Sequence, residues 1–410
     1  MCSTASFGAA NSCGTESVMI KSKTNKRTDV CFKCKTGLPF VLIRHGDPFC
    51  GPCFDHHLVH KFRQGLGKTK ILYPGETVLL NVSGNVSSLA MLNLMATGYD
   101  KTSHKKITAF PKILIIDDSC LFDMAESPVP AILRIIEKVP DMPKQTFVIP
   151  FELIFLENYQ ERCRQFCEDN ATRAVVDLKE MDTDFDGLSE AARSSFQKIK
   201  TSSAKEDIHR SLHLQILSTF AEILKSTKVM MSEVSTDLAA RLLNTVSVGR
   251  GLYVPNETQY LDTRLPGLTF INSMREFTPK ECAFYLRRLA ITPITIISHS
   301  TLSDPIVGSM SRLTDTFISG LQANFPSTVS TVMKTGAKLQ TVSNAGANCD
   351  VCFLPLPQSG DVVQDLTLLG LEEGLCSGCQ IAVSESHESV RGLISRRANT
   401  KEILDEFLID

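Results

Sequence analysis

Four Cys-x-x-Cys pairs constrain the fold of this 410-residue chain more than any other sequence feature. The pairs are Cys31/Cys34, Cys50/Cys53, Cys349/Cys352 and Cys376/Cys379. Two such pairs on facing turns supply the four thiolates of a tetrahedral structural zinc ion. The first two pairs are fifteen residues apart, an ordinary spacing for one site. The sequence therefore predicts one or two structural zinc ions, one for each set of four cysteines.

The two cysteine sets are not equally strong evidence for zinc. Buried cysteines also pack as small hydrophobic residues, and this remains the alternative for both sets. The C-terminal pairs are twenty-three residues apart, with Pro355, Pro357 and Gly360 between them. Zinc at this wider set is consequently the more open prediction. A site closed by four thiolates has no position for a substrate, so the expected role is structural.

Charge and hydropathy exclude several classes of protein. The 43 basic and 45 acidic side chains give a net charge of -2, which excludes a globally basic nucleic-acid coat. No apolar stretch reaches the ~18–20 residues that span a bilayer. The N-terminal segment has neither a basic start nor an apolar core, so it does not resemble a secretory signal. A soluble cytoplasmic protein without a membrane partner is expected.

Strands and helices alternate through the middle of the chain. Buried strands are predicted at 77–82, 112–117, 146–150 and 228–232. Helices are predicted at 87–97, 130–138, 209–224 and 236–246. This alternation is typical of an α/β fold with a mostly parallel sheet.

The predicted domain organisation has six segments. A disordered tail (1–27) precedes an N-terminal zinc knuckle (28–60) and a basic connector (61–75). The α/β domain (76–345) carries a flexible insertion at about 180–207, where Asp, Ser, Lys and Thr dominate. A C-terminal zinc knuckle (346–381) and a C-terminal helix (382–410) complete the chain.

The turn after the first predicted strand is a candidate nucleotide loop. Its small and polar residues are Ser83, Gly84, Asn85, Ser87 and Ser88. Free N–H groups converge where a parallel strand meets a helix N-terminus, and a phosphate can bind there. The same residues also suit an ordinary helix N-cap, so the turn alone does not decide between the two.

Several segments together resemble the PP-loop ATP-pyrophosphatase superfamily, and within it the second-subunit family of the cytosolic tRNA 2-thiolation proteins. They are 31–53, 59–68 (VHKFRQGLGK), 78–88, 113–119 (ILIIDDS) and 325–339 (FPSTVSTVMKTGAKL). The resemblance covers most of 28–381. It implies a three-layer PP-loop core with a parallel sheet, similar to adenine nucleotide alpha hydrolases, flanked by N- and C-terminal zinc knuckles.

The loop departs from the pattern of active superfamily members, Ser-Gly-Gly-x-Asp-Ser. Asn85 replaces the second glycine and Ser87 replaces the aspartate. A Cβ at Asn85 restricts the backbone where it approaches phosphate. The resemblance therefore implies a degenerate loop with only weak support for ATP and magnesium. Cys163 and Cys167, spaced i, i+4, are weak candidates for the sulfur-handling cysteines of catalytic relatives.

Three acidic residues have two interpretations each. Asp117 and Asp118 end a predicted strand and could bind magnesium, but a solvated turn is the favoured interpretation. Asp237 stands where the superfamily has a second motif near the nucleotide. A carboxylate that stabilises a helix start is the favoured interpretation there.

Basic side chains could contact phosphates of an RNA. The candidates are Lys61, Arg63, Lys68, Lys70, Lys334 and Lys338. Such contacts give salt-sensitive affinity without sequence specificity. The alternative is that each is an ordinary solvated charge.

The resemblance implies a subunit of the cytosolic tRNA 2-thiolation complex. That complex modifies the wobble uridine, as 5-methoxycarbonylmethyl-2-thiouridine, of tRNAs such as those for Lys, Glu and Gln. The implied partners are a catalytic PP-loop thiolase subunit in a heterodimer, tRNA, and a thiocarboxylated ubiquitin-like sulfur carrier. The degenerate loop favours a non-catalytic tRNA-binding or scaffold subunit. The alternatives are an ATP-dependent tRNA thiolase in its own right, and a zinc-stapled protein scaffold without RNA contact.

Overall fold

A computed structural model of the protein describes residues 29–43, 46–99, 107–122, 124, 126–140, 142–295, 309–340, 347–356 and 374–386. The chain divides into two compact units, Met1–Phe54 and Asp55–Asp410. The tail predicted at 1–27 lies outside the described residues. So does the helix predicted at 382–410, apart from its first five positions.

The first unit contains a small antiparallel hairpin. Strands β1 (Val41–Ile43) and β2 (Asp47–Phe49) pair with Val41 opposite Phe49. The rings of Phe40 and Phe54 lie 6.3 Å apart and contribute a small apolar cluster. Helix α1 (Gly51–Thr69) begins directly after β2 and continues into the second unit.

The segment predicted as a basic connector at 61–75 is helical in its first part, because α1 extends to Thr69. Leu58, Phe62 and Leu66 recur every four residues and are all buried. This spacing gives an apolar stripe along one face of a helix. The ring of Phe62 meets that of Phe277 edge-on at 6.5 Å, so burial of the stripe fixes the helix.

A seven-stranded sheet forms the centre of the second unit. Its spatial order is β6-β5-β4-β3-β7-β9-β8. The strands are β3 (Thr77–Asn81), β4 (Phe110–Asp117), β5 (Thr146–Pro150), β6 (Val175–Asp177), β7 (Lys228–Met231), β8 (Leu261–Leu265) and β9 (Leu268–Asn272). All neighbours are parallel except β8 and β9, which form an antiparallel pair. The predicted α/β fold with a mostly parallel sheet is confirmed.

Helices connect successive strands of the sheet as far as β8, and further described helices follow β9. They are α2 (Val86–Ala96), α3 (Val129–Lys138), α4 (Tyr159–Asp169), α5 (Phe185–Gln197), α6 (Ser202–Ile223), α7 (Ser235–Ser247), α8 (Val254–Thr258), α9 (Pro279–Arg288), α10 (Met310–Asn324), α11 (Pro326–Gly336) and α12 (Ser377–Ser384). The central strands are continuous apolar runs, and every residue of β5 is buried. Such runs suit strands that are covered on both faces.

The insertion predicted at about 180–207 is regular structure instead. It contains α5 and the start of α6. Asp184 caps α5 by accepting the Gly187 amide at 3.0 Å. Ala192 and Phe196 are buried, and the Phe196 ring lies 5.8 Å from that of Phe151. The segment is polar on average because a single narrow stripe faces the core.

The strand order places a topological switch point between β3 and β7. The chain runs from β3 through β4 and β5 to β6, then returns to the other side of β3 with β7. In open parallel sheets, ligands bind at the carboxyl ends of the strands beside such a point. The loop at 83–88 and the ends of β7 and β9 therefore define the region where a site is expected.

Candidate functional site

The N-terminal cysteines converge as predicted. The ligand atoms of Cys31, Cys34, Cys50 and Cys53 all lie within 4.8 Å of one another. The Lys33 amide donates to Cys31 Sγ at 3.4 Å, and the Gly37 amide donates to Cys34 Sγ at 3.3 Å. Hydrogen bonds from the Thr36 side chain and from nearby backbone amides lower the pKa of Cys34 to about 5. These donors stabilise the thiolate form that binds metal.

The C-terminal cysteines form a second group within the core of the second unit. Cys349, Cys352, Cys376 and Cys379 again lie within 4.8 Å, and each is at most 5% exposed. The Cys376 amide donates to Cys349 Sγ at 3.3 Å. Arg250 reaches Cys379 Sγ at 3.5 Å and Asp207 at 3.2 Å, so a positive charge lies beside the thiolates.

Both cysteine groups match the dimensions of a tetrahedral thiolate site. With zinc–sulfur bonds of ~2.3 Å, neighbouring sulfurs are ~3.8 Å apart. The Sγ atoms of Cys34 and Cys50 are 3.8 Å apart, and those of Cys352 and Cys376 are 3.7 Å apart. Four converging thiols close the coordination sphere. Each group is therefore compatible with a structural metal ion and leaves no position for substrate.

The loop between β3 and α2 satisfies its own hydrogen bonds. Asn85 Oδ1 accepts the Ser88 amide at 2.8 Å and the Ser87 hydroxyl at 3.1 Å. The Gly84 amide donates to Ser88 Oγ at 3.1 Å. The Asn85 side chain is thus the N-cap of α2 and occupies donors that a phosphate would need.

Neighbouring chain also crowds this loop. Gly84 has a φ of +86°, and a Cβ added there would lie 2.8 Å from Ile132. The Ile294 amide donates to the Gly84 carbonyl at 3.0 Å. The conformation requires glycine at 84, and the loop is held from two sides. Whether nucleotide binds there stays a prediction.

The predicted RNA-binding residues fall into two sets. Lys61 forms an ion pair with the buried Glu281 at 2.8 Å, and Arg63 donates to the Thr97 carbonyl at 2.6 Å. Those two cations pack against the protein rather than forming a common solvent face. The remaining four lysines are exposed, at positions Lys68, Lys70, Lys334 and Lys338. Their contact with RNA stays a prediction.

The interpretation of Asp117 and Asp118 as a solvated turn is wrong. Asp117 is 3% exposed, accepts the Ser127 hydroxyl at 2.9 Å and pairs with Lys179 at 3.2 Å. Asp118 Oδ1 lies 2.7 Å from His213 Nε2. Both carboxylates are therefore engaged in specific contacts at the carboxyl end of β4.

His209 joins Asp118 and His213 in a cluster that was not predicted from the sequence. Its Nε2 lies 3.4 Å from Asp118 Oδ1. Burial lowers the pKa of His209, although Asp118 partly offsets this effect. Burial alone would raise the pKa of Asp118, but the two imidazoles hold it well below its ordinary value. The only local signal was the i, i+4 spacing of the two histidines on α6.

A cavity of about 250 Å³ lies beside this cluster. Both histidines line it, as do Asn81, Met231 and Asn272 from the ends of β3, β7 and β9. Its charged walls consist of paired side chains: Arg241 with Glu233, Arg264 with Asp262, and Arg210 with Glu257. The cavity occupies the switch point, where the strand order predicts a ligand.

The remaining acidic candidate, Asp237, has a structural role. The carboxylate of Asp237 accepts the Val234 amide at 3.1 Å at the start of α7, so the helix-start interpretation is confirmed. Burial raises the pKa of Asp237 to about 6.

Cys163 and Cys167 are both buried, and burial raises the pKa of each to about 12. Because the thiolate is the reactive form, the structure gives these cysteines no support as sulfur carriers.

None of the described helices is both long and apolar enough to cross a membrane.

The solved structures include a fold relative, the U34-tRNA thiolase NcsA from Methanococcus maripaludis with its [4Fe-4S] cluster. It aligns with a TM-score of 0.54 and 14% identity, covering 86% of this chain and 100% of NcsA. This likeness supports the PP-loop fold of the α/β core.

Sequence comparison identifies the family. The family model of cytoplasmic tRNA 2-thiolation protein 2 matches residues 309–402. Cytoplasmic tRNA 2-thiolation protein 2-A of Xenopus laevis is 34% identical over 365 residues, which cover 79% of this chain and 70% of that protein. Cytoplasmic tRNA 2-thiolation protein 2 of Danio rerio is 29% identical over 411 residues, covering 88% and 80%. The chain belongs to the cytoplasmic tRNA 2-thiolation protein 2 family.

Proposed function

We propose that this chain is a non-catalytic subunit of a cytoplasmic complex that thiolates tRNA at the wobble uridine. Its relatives are named for cytoplasmic tRNA 2-thiolation, and the fold relative NcsA is named as a U34-tRNA thiolase. The chain would bind tRNA or hold it for a catalytic PP-loop thiolase in a heterodimer. Sulfur would reach the complex on a thiocarboxylated ubiquitin-like carrier, and ATP would be used by the partner.

The capped loop is the observation that carries the non-catalytic role. A PP-loop acts through small residues whose backbone N–H groups approach phosphate closely. Here Asn85 places a carboxamide at the N-terminus of α2 and already accepts the Ser88 amide. A nucleotide phosphate would have to displace this cap and replace its hydrogen bonds.

The cysteines of the α/β core support the same conclusion. NcsA is described with a [4Fe-4S] cluster, and such clusters are held by several cysteine thiolates. Among the described residues, Cys120, Cys163, Cys167 and Cys282 belong to no group of three or more close ligands. The described core therefore offers no cluster site outside the closed C-terminal group. We propose zinc for that group and for its N-terminal counterpart.

A loop variant tests the non-catalytic role. Ser83→Ala combined with Ser88→Ala is expected to leave 2-thiouridine near its normal level in rescued cells. The expected loss of stability is only ~1 kcal/mol, because the Asn85 cap remains. The isolated chain is expected to release no pyrophosphate from ATP. The measurements are nucleoside mass spectrometry of tRNA and a pyrophosphate assay.

Ser330→Ala with Ser384→Ala, two exposed helical positions, is the matched control. Loss of thiolation in the loop variant alone, while it still folds and binds its partner, would give the loop a nucleotide role. In that case the chain would be an ATP-dependent thiolase subunit.

A charge-reversal variant tests the proposed contact with tRNA. Changing Lys68, Lys70, Lys334 and Lys338 to Glu is expected to weaken tRNA binding by the complex. The slope of log affinity against log salt should fall by roughly three units, since each lost phosphate contact removes about 0.7–0.9. Binding is measured by filter retention across a salt series.

The control reverses four other exposed lysines, at positions Lys198, Lys200, Lys225 and Lys280. It changes the net charge equally but is expected to leave the salt slope within experimental error. If the wild type and both variants give equal slopes of log affinity against log salt, the first four lysines are ordinary solvated charges that do not contact tRNA.

A further inference from the structure

We propose that Asp118, His209 and His213 bind one zinc ion with an open coordination position. The three ligand atoms lie within 4.8 Å of one another. His209 and His213 are four residues apart on α6, which places both imidazoles on one face of the helix. Asp118 follows β4 and reaches the same point from the sheet edge. The three ligands thus come from one helix and from the residue that directly follows a central strand.

The distances are close to those of a tetrahedral site. Zinc–nitrogen and zinc–oxygen bonds of ~2.0–2.2 Å place neighbouring ligand atoms ~3.4 Å apart. His209 Nε2 is 3.4 Å from Asp118 Oδ1, and His213 Nε2 is 2.7 Å from the same oxygen. Of these two contacts, the shorter one has to lengthen by less than about 1 Å for an ion to enter.

Aromatic packing holds both imidazoles in this orientation. The ring of Phe151 lies 5.2 Å from that of His209 and 5.7 Å from that of His213. Phe122 and Phe196 meet His209 edge-on, at 6.2 and 6.1 Å. The side chains of His209 and His213 are only 17% and 24% exposed. Ligands that are already oriented lose little freedom when they bind a metal.

The surrounding charges tolerate a divalent cation. Each arginine of the neighbouring cavity is paired with a carboxylate: Arg241 with Glu233, Arg264 with Asp262 and Arg210 with Glu257. Zinc would therefore meet one anionic ligand and two imidazoles beside a set of compensated ion pairs. Two nitrogen ligands favour zinc over magnesium or calcium, which prefer oxygen.

An open position distinguishes this site from the two cysteine groups. Three protein ligands leave the fourth position for water or another small ligand, as in zinc sites that carry out chemistry. Both histidines line the cavity of about 250 Å³, so the open position would face that space. A small anion such as a thiolate is the class of ligand that zinc would accept there.

Cobalt binding by the full-length chain tests the proposal. Cobalt(II) bound by four thiolates gives a strong sulfur-to-metal charge-transfer band, whereas an imidazole–carboxylate site gives only weak d–d bands. Added Co²⁺ is expected to fill one site of the second kind, and Zn²⁺ is expected to displace it. Asp118→Asn and His213→Gln should each weaken this site by more than the ~10–100-fold that loss of an outer-shell partner costs.

His60→Gln, at an exposed histidine on α1, is the matched control and should bind like the wild type. Asp118→Asn keeps an oxygen for a histidine N–H, so it retains a hydrogen-bonded cluster while losing a zinc ligand. The titration of the wild type with Co²⁺ tests the proposal even if a variant does not fold. If the wild type shows no thiolate-free cobalt site, or if Asp118→Asn and His213→Gln bind as it does, the cluster is only a hydrogen-bonded triad and the proposal is wrong.

Discussion

Replacing Cys376 by serine is expected to remove one zinc ion per chain and to lower the free energy of unfolding by at least ~3 kcal/mol. Structural zinc contributes apparent binding energies of ~10–16 kcal/mol in small zinc fingers, and a three-thiolate remnant retains only part of this. The cysteine group lies in the main core with Leu354 and Val383, so its loss also exposes packed side chains. Elemental analysis and chemical denaturation measure the two effects.

Cys282→Ser is the control for the effect of burying a serine hydroxyl in place of a thiol. Cys282 is 1% exposed, but it belongs to neither four-cysteine group. The Cys282→Ser variant should lose some stability, because a hydroxyl is buried, but it should keep the zinc content of the wild type. If Cys376→Ser also keeps its zinc, or if the wild type holds fewer than about one and a half zinc ions, the two-site proposal is wrong.

The features predicted best from sequence were those with a strong local pattern. Cysteine spacing marks two groups before any fold is known, because metal geometry requires paired thiolates. Continuous apolar runs likewise marked the central strands β3, β4, β5 and β7, since a strand buried on both faces has no polar alternation. The helix-start role of Asp237 also followed from the sequence, because a carboxylate in the first turn stabilises a helix.

Two helical stretches were predicted as a connector and as a flexible insertion because their apolar stripes are narrow. The connector at 61–75 was predicted from its basic residues, and Gly65 and Gly67 in this segment lower helix propensity by ~1 kcal/mol each. The buried stripe of Leu58, Phe62 and Leu66 outweighs that effect. At 180–207, polar composition likewise concealed a stripe that contains few large apolar residues. Tertiary burial decided both cases, and composition did not reveal it.

The charged cavity was missed for a different reason. Its residues come from α6, α7, α8 and the β8–β9 pair, which are far apart in the sequence. In β8, the charged Asp262 and Arg264 are buried while Thr263 is exposed, the reverse of ordinary alternation. No local pattern indicates such burial, because it depends on partners that only the fold brings together.

Arg264→Met is expected to lower the free energy of unfolding by ~3–5 kcal/mol, the cost of breaking a buried ion pair. Arg264 is 2% exposed and reaches Asp262 and Glu257 at 2.7 and 2.8 Å. It also donates to the carbonyl oxygens of Asn256 and Cys352, both at 3.3 Å. Methionine fills similar space but leaves these acceptors without their donor. Chemical denaturation of the full-length chain measures the loss.

Arg164→Met is the matched control, since Arg164 pairs with Glu161 and Glu222 on the surface, where its side chain is 39% exposed. An exposed pair contributes ~0–1 kcal/mol, so this variant should denature almost like the wild type. Adding Asp262→Asn to Arg264→Met should recover part of the loss, because it removes one uncompensated carboxylate. Arg264→Lys should not recover fully, since one ammonium cannot reproduce the guanidinium fork. Equal destabilisation by Arg264→Met and Arg164→Met would mean that the buried network does not stabilise the wall of the cavity.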